Sequence, residues 1–99
     1  MDTLTDDQFR AAGGVEDWHR DGDTVVALFR TGDFAIGARL FSAIAELAEA
    51  ANHHPDVTVT YPSVQVRLTS HDSGGVTAKD AALAAAISRA ARELGVSAG

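Results

Sequence analysis

Cysteine is absent from the 99 residues. Its absence removes disulfides, thiolate nucleophiles and thiolate metal sites together, and it accords with a reducing, cytoplasmic setting. Basic charge is scarce: eight Lys and Arg against fourteen Asp and Glu leave a net charge of −6. A surface of that sign repels phosphate backbones, so direct nucleic-acid binding is not expected. No long apolar run exists; the longest, Ala81 to Ile87, is far too short to cross a bilayer. The opening residues, Met1 to Asp7, are acidic and lack the apolar stretch of a signal peptide. Large apolar side chains are also few, because much of the 45% hydrophobic fraction is alanine, which builds helix but fills little volume. The expected core therefore leans on Phe9, Trp18, Leu28, Phe29, Phe34, Leu40, Phe41, Leu47, Leu68, Ile87 and Leu94. A chain of this length makes one domain over residues 1–99, burying roughly 65% of its unfolded surface.

What is present falls into a regular order. Thr5-Asp6-Asp7-Gln8 has the form of a capping box, predicting a short helix from about Asp6 to Ala12 that Gly13-Gly14 ends. Trp18 falls in a first strand, Asp21-Gly22-Asp23 makes a turn, and Thr24 to Arg30 forms a second strand, a hairpin pattern. Thr31 or Asp33 caps a long helix whose apolar residues Phe34, Gly37, Leu40, Phe41, Ile44, Leu47, Ala48 and Ala51 recur at three- and four-residue steps. Asn52 suits a left-handed helix exit, and Pro55 forbids continuation. Val57 to Tyr61 and Val64 to Ser70 alternate as strands about a Pro62-Ser63 turn, with Val57, Val59 and Tyr61 facing the same side as Val64, Val66 and Leu68. Thr77-Ala78-Lys79-Asp80 is a second capping box, opening a helix that Gly95 closes. The order αββαββα predicts an α+β fold, a four-stranded antiparallel sheet with three helices packed on one face.

Three of the four histidines sit where elements end: His53 and His54 at the exit of the long helix, His71 just past the last strand. Two element ends bearing imidazoles can converge on one cleft, and imidazole is the side chain best suited to proton transfer near neutral pH. A helix C-terminus also favours the protonated ring, so the His53–His54 exit is expected to supply a proton donor. Taken alone, His53-His54-Pro55 is more often a solvated helix terminus, Asp80 more often a capping residue and Glu49 more often a solvated helix residue. Three histidines could also hold a zinc ion, but neighbours such as His53 and His54 rarely both reach one metal, and no metal site is expected.

The spacing adds a second line of argument. Glu49, His53, His54, Pro55, Tyr61, His71 and Asp80 fall on the pattern of a charged residue, three others, His-His-Pro, an aromatic, a further His and then Asp. In this the chain resembles the pterin-4a-carbinolamine dehydratases. Trp18, the Phe29-to-Phe34 helix entry and Gly74-Gly75-Val76-Thr77 extend the likeness over nearly the whole chain. Asn52 stands where many members have Asp, Pro62 where Asn is frequent, and Ser70 where Thr is.

The resemblance implies a hydro-lyase that dehydrates 4a-hydroxytetrahydropterin to quinonoid dihydropterin in tetrahydrobiopterin-type cofactor recycling, with neither metal nor organic cofactor. It implies His53 and His71 as the acid–base pair, His54 as an anchor for the substrate, and Asp80 as the orienter of a histidine or a contact for the pterin edge. Asn52, Ser70 and Asp72 would complete the substrate-binding wall. It also implies a homodimer or homotetramer. The alternative is a non-catalytic dimerisation or scaffold protein of the same fold, since animal members also serve as dimerisation cofactors for a transcription factor; no residue here marks that partner.

Overall fold

The computed structural model describes the whole chain, Met1 to Gly99. The elements are α1 (Asp6–Ala11), β1 (His19–Asp21), β2 (Thr24–Arg30), α2 (Phe34–Ala51), β3 (Asp56–Val59), β4 (Ser63–Leu68), α3 (Ala78–Glu93) and β5 (Ser97–Ala98), with one 3-10 turn at His71–Ser73. Each helix starts on a side-chain cap, which satisfies amides that have no partner within the helix. The Thr5 hydroxyl accepts from the Gln8 N–H at 3.1 Å, and the Gln8 side chain accepts from the Thr5 N–H at 2.8 Å. Asp33, rather than Thr31, caps α2 by accepting from the Ile36 N–H at 2.7 Å. Thr77 and Asp80 form the expected box at the start of α3.

The sheet is antiparallel in the order β1-β2-β4-β3, and β5 also pairs with β2. The register places Val25, Ala27 and Phe29 of β2 opposite Leu68, Val66 and Val64 of β4; Val57 and Val59 of β3 lie across from Val66 and Val64. These residues form one apolar face. On it rests α2, in contact with β3, β4 and α3. Gly37 is buried where α2 meets the sheet, its Cβ position 3.4 Å from Val59 Cγ1 and 3.5 Å from Val64 Cγ2, ordinary packing distances. Trp18 is buried before β1, edge-on to Phe29 at 6.1 Å, and its indole N–H donates to Ser88 Oγ of α3 at 2.9 Å. That bond ties the first hairpin to the last helix and satisfies two buried polar groups at once.

Four expectations need correction. The sheet has five strands rather than four. Gly95, at φ 74°, turns the chain back after α3, Val96 is buried, and Ser97–Ala98 is laid along Phe29 and Arg30. The three helices do not form an even layer, since α1 buries Phe9 alone and lies beside α3. Trp18 precedes the first strand instead of belonging to it. Among the expected core residues, Phe34, Phe41 and Leu94 are exposed and Leu28 is half-buried; Tyr61, expected on the apolar face, is exposed too. The reason is geometric. The buried stripe of α2 is only Gly37, Leu40, Ile44 and Ala48, narrower than its hydrophobic periodicity. Leu28 points to the opposite sheet face from Ala27 and Phe29. Tyr61 lies in the turn closed by the Thr60 N–H to Ser63 carbonyl bond at 2.9 Å, beyond the end of β3.

The narrow stripe yields a paired prediction for dilute protein. Leu40→Ala, at a fully buried site, lowers unfolding free energy by about 2–5 kcal/mol. Phe41→Ala, one residue on and 45% exposed, changes it by less than about 0.5 kcal/mol. Urea unfolding followed by circular dichroism measures both.

Candidate active site

The site lies where the end of α2, the end of β4 and the start of α3 meet. α2 terminates because Asn52 takes a left-handed conformation, φ 49° and ψ 46°. The turn is closed by the Asn52 N–H to Glu49 carbonyl bond at 3.2 Å and the His53 N–H to Ala48 carbonyl bond at 3.0 Å. Asn tolerates this conformation better than other residues with a Cβ. The exit angle then points His53 inward, its side chain 13% exposed, while His54 faces solvent.

The second wall is a tight loop. Ser70 and Gly75 bond reciprocally, Ser70 N–H to Gly75 carbonyl at 2.9 Å and Gly75 N–H to Ser70 carbonyl at 3.3 Å. Between them stands the His71–Ser73 turn, closed by Gly74 at φ 76°. The loop leaves His71 and Asp72 exposed, and both line the same cleft as His53.

Asp80 joins these walls. Its carboxylate is fully buried, which would be costly without compensation, and every nearby donor is used to offset it. Oδ1 lies 2.6 Å from His53 Nε2. Oδ2 accepts from the Thr77 N–H at 2.8 Å and from Ser70 Oγ at 2.8 Å. Because the single Ser70 hydroxyl proton goes to Asp80, the Thr77 hydroxyl must donate to Ser70 Oγ, 2.9 Å away. Thr77 Oγ1 in turn accepts from the Lys79 N–H at 3.3 Å. Asp80 is thus a helix cap and the partner of a histidine at once. A carboxylate accepts and does not donate, so the proton in the bond sits on Nε2 of His53, leaving Nδ1 for other chemistry.

A second pairing lies on the surface. His54 Nε2 is 2.5 Å from Glu49 Oε2, with both side chains largely exposed. An ion pair in that setting contributes little to stability; it limits the orientation of the His54 ring.

Asn52, His53, His54, Ser70, His71 and Asp72 all line one cleft of about 290 Å³. Asp80 does not reach its wall, being sealed behind His53 and Ser70. Met1, Thr69, Ser73, Thr77 and Lys79 complete the lining, and these were not anticipated as site residues. For Thr77 and Lys79 the sequence carried a signal of helix start, but nothing to say that this start opens onto the histidines. Met1 and Thr69 carried no local signal. The cleft receives the carbonyl end of α2 and the amide end of α3, so partial charges of both signs border it. It offers imidazoles for proton transfer and hydroxyl, amide and carboxylate groups for hydrogen bonding to a polar ligand.

A model of the family described as pterin 4 alpha carbinolamine dehydratase matches residues 2–90. A protein of Natronomonas pharaonis, provisionally named a pterin-4-alpha-carbinolamine dehydratase, is 46% identical over 83 residues, covering 84% of this chain and 89% of that one. One of Koribacter versatilis with the same provisional name is 40% identical over 83 residues, covering 83% and 88%. The crystal structure of a transcriptional coactivator/pterin dehydratase from Brucella melitensis has a TM-score of 0.83 and 26% identity, covering 91% of this chain and 99% of that one. With a family match across most of its length, and relatives of this identity and coverage, the chain belongs to the pterin-4a-carbinolamine dehydratase family.

Proposed function

We propose that the protein dehydrates a 4a-hydroxytetrahydropterin to quinonoid dihydropterin and water, with His53 and His71 exchanging the protons. One observation supports this above the others. The Asp80–His53 bond joins parts of the chain 27 residues apart and leaves Nδ1 of an oriented, half-buried imidazole free, in a cleft that His71 also lines. The chemistry required is modest. The N5 lone pair forms the C4a–N5 double bond as the C4a–O bond breaks. One imidazole protonates the departing hydroxyl, so that it leaves as water, and the other removes the N5 proton. Such a carbinolamine loses water slowly unaided, and general acid–base catalysis supplies roughly 10²–10⁴-fold, the scale such a substrate needs.

Asp80 is the positioning residue for His53, holding its tautomer and its angle. His54, restrained by Glu49, anchors the substrate, while Asn52, Ser70 and Asp72 border the ring edge with hydrogen-bonding groups. Membership of the family supports a place for this activity in the recycling of a tetrahydrobiopterin-type cofactor. Self-association belongs to the same proposal: Phe34 and Phe41 are 59% and 45% exposed, two large aromatics a heptad apart and so on one side of α2.

The direct test adds protein to freshly generated 4a-carbinolamine and follows loss of absorbance; a rate equal to the unaided one at micromolar protein would overturn the proposal. His53→Ala and His71→Ala each lower kcat by roughly 10²-fold, while His54→Ala acts mainly on KM, all measured in the same assay. The His53→Ala, His71→Ala double variant loses turnover yet keeps its oligomeric state, as read by sedimentation; a scaffold would lose nothing. Asp80→Asn lowers kcat and also stability by about 1–3 kcal/mol, because the new amide cannot accept from both His53 and Ser70; calorimetry reads the second effect.

A further inference from the structure

Eleven residues line the cleft, and only Met1 among them is hydrophobic. A flat heterocycle has polar edges, which the histidines, Asn52, Ser70 and Asp72 suit, and two faces, which hydrogen-bonding groups do not satisfy. The Met1 side chain is otherwise 70% exposed, an arrangement that gives an apolar group nothing until something packs against it.

The segment carrying Met1 is held in place at several points. The Leu4 N–H donates to the Val76 carbonyl at 2.7 Å. The Leu4 carbonyl accepts from the Arg20 guanidinium at 3.0 Å. Thr3 lies directly on Gly75, where an added Cβ would meet Thr3 Cγ2 at 3.3 Å. Leu4 packs against the core, and Thr5 begins the α1 cap. Val76 and Gly75 belong to the same loop that carries Ser70, His71 and Thr77, so the strap is bonded to the wall of the site itself. Arg20 strengthens the point. It sits opposite Val25, on the core side of β1, and its Nε is buried with no partner. Leaving a buried donor unmet is costly; the bond this side chain does make goes to the strap.

We infer that Met1 is the apolar wall of the substrate cleft, its thioether packing on the face of the bound pterin, with Thr3–Thr5 as the strap that presents it and Arg20 positioning that strap. The inference rests on the pterin reading above and deepens it. A polarizable thioether against an aromatic face changes affinity by roughly two- to tenfold, so the contribution is to substrate binding and not to the proton transfers.

The chain has a single methionine, which makes the test specific. Protein labelled with methyl-¹³C methionine gives one methyl resonance, and the full chain is titrated with a stable 7,8-dihydropterin. The expected result is an upfield ring-current shift of that methyl, saturating together with the imidazole signals of His53 and His71. Imidazole signals that respond while the methyl stays still overturn this inference and leave the pterin reading intact. If neither responds, the pterin reading fails and this inference fails with it. In Arg20→Gln the methyl response shrinks and KM rises roughly two- to tenfold with kcat held; a fall in kcat with the methyl response intact assigns Arg20 to the fold alone and overturns its positioning role.

Discussion

A carboxylate with no solvent access governs this structure. Asp80 lies at the third position of α3, where its Oδ2 accepts from the Thr77 amide and the Ser70 hydroxyl and its Oδ1 meets the His53 ring. An uncompensated charge in that place would cost several kcal/mol, and each partner offsets part of that cost. Those partners come from three elements: the exit of α2, the end of β4 and the N-cap of α3. The requirement that stabilises the helix start is the one that assembles the cleft. Site and fold are therefore hard to separate by mutation, because the groups that orient His53 also satisfy a helix terminus.

The remaining architecture serves that junction. The buried stripe Gly37, Leu40, Ile44 and Ala48 seats α2 on β3 and β4, which sets where the helix ends and hence where His53 emerges. The Trp18–Ser88 bond holds α3 against the first hairpin, which fixes where its N-terminus points. The Ser70–Gly75 bridge lies past the end of β4, and His71 stands on the short turn it closes. Each polar group near the cleft is either spoken for by the fold or free to meet a ligand, and the free ones are the His53 Nδ1, His71 and the rim. The one apolar side chain of the lining, Met1, comes from outside this arrangement, on an N-terminal strap whose Leu4 N–H bonds to the Val76 carbonyl.

Much of the local structure was legible from residue order. Thr5-to-Gln8 and Thr77-to-Asp80 gave their capping boxes because a cap is a contact between residues three apart, whose geometry is set by the helix itself. Asn52 gave its left-handed exit for the same kind of reason. The alternation in β3 and β4 gave the inward face, Tyr61 excepted. What failed depended on the neighbours of an element. Phe41 shares the periodicity of Leu40, yet only Leu40 faces the sheet, because the width of the buried stripe is set by what packs against the helix. A two-residue strand such as Ser97–Ala98 has no period to detect.

For the site the division follows the same line. The sequence by itself determined the histidines at element ends, their spacing, the cap at Asp80 and so the family, since all of these are properties of short segments and of residue order. Only the tertiary structure decided that Asp80 caps α3 and orients His53 with the same carboxylate, that Lys79 and Thr77 open onto the imidazoles, and that Met1 is the single apolar group beside them. Those facts depend on segments tens of residues apart lying within a few ångströms. Such proximity is a consequence of how the helices settle on the sheet, and no stretch of chain encodes it alone.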